Sequence, residues 1–487
     1  EHAFMLRKAK QQAEYLLSPA EEALASELSV TGGSAWSKLY STFSSQIVVP
    51  IELEGRRHGT HAGEKRAGVG TRQELPMSAV RNLAFDPKPE VRRRAYEAEL
   101  AAWKQAAMPI AAALNSIKGE VNTLCRKRRW DTPLDSALFN NNIDRATLDA
   151  MLSAARESFP DFRRYLRAKA RALRRRSDGA GGSPGLAWYD LFAPVGGGGA
   201  VRTWAFDEAA EFVVEQFATY GEKLAELARR ALRERWIDAE PRDGKRDGAF
   251  CMGVRKDESG VFLNFEPSFY SVSTLAHELG HAYHNTCLVA RTPMQRETPM
   301  ALAETASIFC QTIITNAALA RAEAAERLAI LEHELQDGCQ VVVDIHSRFL
   351  FERRVFERRA KRELSVNELN ELMLEAQKET YGDGLDEGAM HQYMWAMKPH
   401  YYSTGQSYYN WPYTFGQLFG QGLYARYRED PQKFRTGYDE LLSSTGMHSA
   451  HELGQRFGID FSSVAFWRGS LDVNREQIRQ FEVLARR

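Results

Sequence analysis

The chain has 487 residues, 44% of them hydrophobic, enough to bury a large core and to divide into two lobes. Lys+Arg and Asp+Glu both number 64, so the formal charge of zero gives no general pull toward nucleic acid or an anionic membrane. No run of about 18 apolar residues is present and the start carries no basic-then-apolar export pattern, so a cytoplasmic protein with no membrane span is expected.

In chain order, helical periodicity dominates. Leu6 to Leu28, Ser78 to Leu124, Arg145 to Arg175 and Asp207 to Trp236 read as long amphipathic helices. Gly55 to Gly70 reads as a polar loop, too flexible to fix its His58, His61 and Glu64 around an ion. Asp178 to Ala200, with two glycine runs, lacks a P-loop lysine and is read as a crossing between lobes. The expected division is an N-terminal helical lobe over 1–195 and a catalytic domain over 200–487. Gly248 to Val254 and Val261 to Phe265, separated by a polar turn, read as a hairpin. Gly248, Ala249 and Phe250 on its first strand are candidates to pair with the backbone of an extended peptide, alongside a plain structural role. Helices resume from about Glu323 to Arg362 and from Ser365 to Tyr381. Five cysteines (Cys125, Cys251, Cys287, Cys310 and Cys339) are scattered without paired metal spacing and suit reduced thiols.

The chemistry concentrates at His277-Glu278-Leu279-Gly280-His281. On a helix, residues four apart share a face, so both imidazoles reach one cation with a carboxylate beside them. Pro267 and the nearby serines offer a helix start, and Leu275, Leu279, Ala282 and Tyr283 form an apolar stripe to bury. Two satisfied core or surface histidines would give the same letters. His451-Glu452-Leu453-Gly454 does repeat the first four, but Gln455 replaces the second histidine, so that copy reads as ordinary helix.

A third ligand is expected from Met300-Ala301-Leu302-Ala303-Glu304, with Thr298 as N-cap and Pro299 as the first helical residue. Glu304 is the only charge in an apolar helix running to about Ala320. A lone buried carboxylate is costly unless it is paired or binds a metal. Glu297 competes for the role, but its polar loop explains it by solvation. His284 is read as a core or supporting histidine, because a catalytic zinc keeps one position open.

These two segments resemble the oligoendopeptidase F branch of the thimet-oligopeptidase-like zinc peptidases (family M3). The resemblance extends to Thr31-Gly32-Gly33-Ser34-Ala35-Trp36, Gly248-Ala249-Phe250-Cys251, Tyr408-Tyr409-Asn410-Trp411-Pro412-Tyr413-Thr414-Phe415-Gly416 and Phe466-Trp467, and so covers most of the chain. It implies a mainly α protein: two helical lobes around a deep substrate channel, with a small β-hairpin beside the zinc helix. It implies one Zn2+ bound by His277, His281 and Glu304, with Glu278 as general base. It also assigns oxyanion stabilisation to a histidine and tyrosines, matching His400 and Tyr409, with Tyr408 as the alternative donor; Trp411 stands where many relatives carry tyrosine.

The expected activity is therefore hydrolysis of internal bonds in short, unstructured oligopeptides. The alternatives are a metallo-exopeptidase (carboxypeptidase or dipeptidyl carboxypeptidase) on the same site, and a non-enzymatic peptide-binding helical protein. A carboxylate clamp would mark the first, and no arginine identifies itself as one. An intact base and only three strong ligands argue against the second.

Overall fold

Long helices form where the periodicity predicts them, and they break at residues that stop or restart them. Arg145–Arg176 and Val366–Tyr381 run uninterrupted, the latter opened by a Ser365/Glu368 capping box. The stretch expected from Leu6 to Leu28 is instead two helices, Ala3–Glu14 and Pro19–Thr31. Ser18 caps the second, and Pro19 takes a first position where no N–H is needed. Between Ser78 and Leu124, the helix Met77–Asn82 ends ahead of Pro87 and Pro89, and Pro89–Lys127 restarts it. The region from Asp207 to Trp236 splits at Gly221 into Phe206–Tyr220 and Glu222–Arg233.

The structure is a computed structural model that describes residues 2–53, 71–176, 183–195, 202–242, 245 and 248–486. His58, His61, Glu64 and both glycine runs lie outside the described residues. The protein is mainly α. Among the described residues, no helix is long and apolar enough to cross a membrane.

Among the described residues, two small sheets interrupt the helices. Val48–Leu53 pairs antiparallel with Thr71–Pro76, an element not anticipated although Val49, Ile51 and Leu53 alternate inward. The expected hairpin forms as Phe250–Arg255 and Glu258–Phe262, with a tighter turn than predicted. Ile237–Asp238 pairs with Glu258–Phe262 on its other side, so Phe250–Arg255 is an edge strand among the described residues.

Buried apolar residues form two clusters that cut across the expected division at 195/200. One joins Trp103 and Leu114 to Phe351, Trp395 and Tyr401; the other joins Phe162 and Phe217 to Leu275, Phe309, Phe415 and Trp467. Ala324–Cys339 continues through a π-turn, Gln340–Asp344, into Ile345–Arg359. Such a turn leaves carbonyls without helical partners, and that of Val341 accepts from Thr414 Oγ1 at 2.7 Å. Ile345–Arg359 puts Phe349 and Phe356 into one cluster and Leu350, Phe351 and Val355 into the other. Its Glu352 is ion-paired at 2.7 Å to Lys118, which is fully buried on Pro89–Lys127.

Candidate metal centre

The histidines sit on Phe269–Cys287, a helix capped by Ser268, whose side chain accepts from the Ser271 N–H. Leu275, Leu279, Ala282 and Tyr283 are all buried, as the stripe predicts. That anchoring leaves the half-buried His277 and His281 rings edge to face, 5.0 Å apart. Glu304 departs from the expected helix interior. It occupies a one-residue joint between Met300–Ala303 and Thr305–Arg321, and Pro299 is the N-cap rather than the first helical residue.

Glycines bring these elements together. A Cβ on Gly280 would lie 2.6 Å from Ser307 Cα and 2.7 Å from the Ala306 carbonyl oxygen, and one on Gly416 would lie 2.7 Å from Glu304 Cβ. The bare backbones at these two positions allow the approach.

As a result Glu304 Oε2 stands 3.2 Å from His277 Nε2 and 3.4 Å from His281 Nε2. Bonds of about 2.0–2.2 Å in tetrahedral geometry separate donors by about 3.3 Å, so both contacts have the spacing that a zinc ion requires. Among the described residues this is the one trio of His, Cys, Asp or Glu whose ligand atoms lie within 4.8 Å of one another. Burial works against the Glu304 charge, but His277 and His281 hold its pKa well below the ordinary range. Burial likewise opposes a charged His277, yet Glu304 outweighs it and raises the pKa. Ser307 Oγ donates to Glu304 Oε2 at 2.6 Å, and Gln311 Oε1 lies 3.0 Å from His277 Nδ1.

Glu278 is 4% exposed, and its Oε2 has no hydrogen-bond partner. Burial raises its pKa; His277 and His281 only partly offset that. An unsatisfied buried carboxylate oxygen costs free energy, and beside three groups able to hold a metal ion it is suited to taking a proton. The edge strand runs close by. Burial, then the Glu278 charge, pushes the Cys251 thiol up to about 12. Gly248 (φ 94°) and Ala249 lead into that strand, and Phe250 opens it, stacked on Phe262 at 4.9 Å.

His400 stacks on Tyr409 with centroids 5.0 Å apart. Burial, then the Arg348 and Lys398 charges, lowers its pKa to about 4, so the ring is neutral near pH 7. Tyr409 OH lies 3.0 Å from Tyr413 OH. Burial raises the Tyr413 pKa, then Tyr409, with a contribution from the Glu304 charge. Tyr413 belongs to the helix Trp411–Glu429, which also carries Gly416. Tyr408 does not join this group. Its backbone is left-handed (φ 54°), its N–H donates to Glu352 Oε2 at 3.2 Å, and its ring packs between Phe349 and Phe356. Trp411 is also buried, at 1% exposed.

Gln311 and Tyr413 were not singled out from sequence. Each carried a faint signal: Gln311 follows Glu304 by two helical turns, and Tyr413 follows Tyr409 by one. A cavity of about 570 Å3 has Trp130, Phe139, Met300 and Tyr409 among its lining residues. Glu297 is exposed and outside the trio. At the repeated tetrapeptide, Glu452 completes a capping box with Ser449, and Gln455 Nε2 contacts His451 Nε2 at 2.9 Å, an ordinary helix start.

His284 is buried, with Nε2 facing the Leu442 carbonyl at 3.1 Å and Thr445 Oγ1 at 3.0 Å. Burial, then the His281 charge, lowers its pKa to about 4 from 6.5. The folded protein thus prefers the neutral ring. The stability this confers is complete above pH 6.5 and is lost as pH falls toward 4, where the unfolded chain binds the extra proton. The loss is about 3 kcal/mol. Denaturant titrations between pH 7 and pH 4 should show it, with a flatter profile for His284→Gln; equal slopes for the two proteins would refute the assignment.

Comparison with known sequences and folds matches residues 82–473 to the model of Peptidase family M3 and residues 1–48 to that of Oligopeptidase F. Group B oligopeptidase PepB of Streptococcus agalactiae is 25% identical over 474 residues, covering 96% of this chain and 74% of its own length. Chromosomal oligoendopeptidase F of Lactococcus lactis subsp. cremoris is 25% identical over 420 residues, covering 85% and 67%. A crystal structure of a putative peptidase from Chlamydophila abortus shares the fold with a TM-score of 0.84 at 20% identity, covering 99% of this chain and 77% of that one.

Proposed function

The chain belongs to Peptidase family M3, and we propose that it is a zinc-dependent endopeptidase cutting internal bonds of short, unstructured peptides. The observation that carries the reading is the unpartnered Glu278 carboxylate oxygen beside the His277, His281 and Glu304 donors. Three protein donors leave a fourth position for water, as in catalytic rather than structural zinc sites.

His277, His281 and Glu304 would hold the ion, which when bound would polarise a carbonyl and lower the pKa of water to about 7. Glu278 takes the proton released as water attacks the scissile carbonyl and passes it to the leaving amine. Burial raises its pKa, which favours its taking the proton. The Tyr409 and Tyr413 hydroxyls and the neutral His400 ring form a donor group for the oxyanion that develops. Phe250–Arg255, an edge strand among the described residues and entered through Gly248 and Ala249, offers backbone groups to an extended substrate, giving affinity without strong sequence preference. All five cysteines are free thiols, which supports a reducing, cytoplasmic setting.

Peptides of graded length, digested and read by mass spectrometry, test this. Internal cuts that a chelator abolishes are the expected result. Removal of terminal residues alone would establish the exopeptidase alternative.

A further inference from the structure

Tyr408 holds a left-handed backbone, φ 54°, that an L side chain rarely adopts. Among the described residues, the other non-glycine residues with positive φ are Arg129, Asn142 and Arg235. Each lies two positions past the end of a helix, Pro89–Lys127, Pro133–Asn140 and Glu222–Arg233 in turn, where such a conformation closes the last turn. Tyr408 closes no such helix. It is buried between the short turn Pro399–Tyr402 and the helix Trp411–Glu429. A residue in a sparsely populated conformation persists only where its surroundings hold it.

A buried ion pair holds this one. The Tyr408 N–H donates to Glu352 Oε2 at 3.2 Å, and the Lys118 ammonium fixes Glu352 Oε1 at 2.7 Å. The same ammonium lies 4.6 Å from the centre of the Phe356 ring, which packs against the Tyr408 ring at 5.6 Å. Lys118 and Glu352 are both buried. Apolar residues of similar size often serve as well as a buried ion pair or better, so stability alone does not account for the two charges. One residue on, the chain delivers Tyr409 to the His400 ring, centroids 5.0 Å apart, and to Tyr413 OH at 3.0 Å. Were Tyr408 to relax to negative φ, the peptide joining it to Tyr409 would turn and carry that ring away.

We propose that Lys118 and Glu352 form a positioning clamp: by fixing the left-handed backbone of Tyr408, the pair aims the Tyr409 hydroxyl at the developing oxyanion. The clamp rests on the oxyanion reading above and deepens it. Lys118 and Glu352 are positioning residues that act through Tyr409.

The test compares two charge-free versions of the full chain, Lys118→Met with Glu352→Met and Lys118→Met with Glu352→Gln. They differ in one group, because only the amide oxygen can accept from the Tyr408 N–H. The methionine pair should lose about 10²-fold in kcat, with KM and zinc content near the parent's. The glutamine version should keep a kcat near the parent's. Crystals of the metal-free proteins should show Tyr409 off His400 in the first and stacked on it in the second. A double-mutant cycle locates the effect. Tyr409→Phe alone should lower kcat about 10²–10³-fold, and adding the methionine pair to it should lower kcat little further.

A methionine pair with parental kcat would overturn the clamp, as would equal losses in both charge-free versions or full additivity with Tyr409→Phe. If the methionine pair fails to fold, Glu352→Gln alone decides the matter. There Lys118 claims the amide oxygen and leaves the NH2 group facing the Tyr408 N–H, so the same loss of kcat is expected, and parental kcat would again overturn the clamp. Tyr409→Phe turning over as fast as the parent would instead remove the oxyanion reading itself.

Discussion

Glu278→Gln is expected to bind zinc as the parent does and to cleave peptides about 10²–10⁴ times more slowly. The two properties separate because Glu278 is not among the ligand atoms drawn together at Glu304. An amide of the same size fills the same enclosed position but cannot take a proton from water. Since Oε2 of the parent has no partner to lose, the substitution removes no hydrogen bond there and should leave stability unchanged or slightly higher. His277→Ala is the contrasting case, in which metal and activity are lost together. Metal content by atomic absorption with steady-state kinetics distinguishes them; near-parental turnover by Glu278→Gln would remove it from the base role.

The second large effect is steric. Gly280→Ala adds one methyl group to the histidine helix, a change that raises helix propensity by up to about 1 kcal/mol. Its Cβ would sit 2.6 Å from Ser307 Cα and 2.7 Å from the Ala306 carbonyl oxygen. Those are backbone atoms, which cannot swing aside as a side-chain tip does. Overpacking of this kind costs about 1–3 kcal/mol or more, so the net change should be destabilising. Because the contact separates the helix bearing His277 and His281 from the segment bearing Glu304, zinc affinity should fall as well. Gly469→Ala is the control: nothing lies within 4 Å of its added methyl, and it should gain up to about 1 kcal/mol. Equal stability and zinc affinity in Gly280→Ala and the parent would show that the two helices can part freely.

The trio that the structure draws together, His277, His281 and Glu304, was legible in the sequence because much of its geometry is local. Two histidines one turn apart share a face whatever the tertiary fold, and an isolated carboxylate among apolar residues advertises its cost. The supporting groups needed contacts that sequence does not display. Gln311 meets its partner His277 across 34 residues of chain. Neighbours in sequence can also diverge: the left-handed backbone at Tyr408 sends its ring into the core, while Tyr409 meets His400 and Tyr413. Periodicity located the long helices but passed over their interruptions at Ser18–Pro19 and Glu304. It also passed over the alternation of Val49, Ile51 and Leu53, a legible period of two within a mainly helical chain.

The helix Ile345–Arg359 has a bearing on how the molecule comes apart. Chains of this size commonly unfold in stages, one domain before another. Here one helix contributes opposite faces to both buried clusters, and its Glu352 is tied to the enclosed Lys118 of Pro89–Lys127. Melting either cluster would strip a face from this helix and leave a charge without its partner in the other. The two regions should therefore lose structure in a single concerted transition, and the half that carries the histidines should not persist as a free-standing fragment.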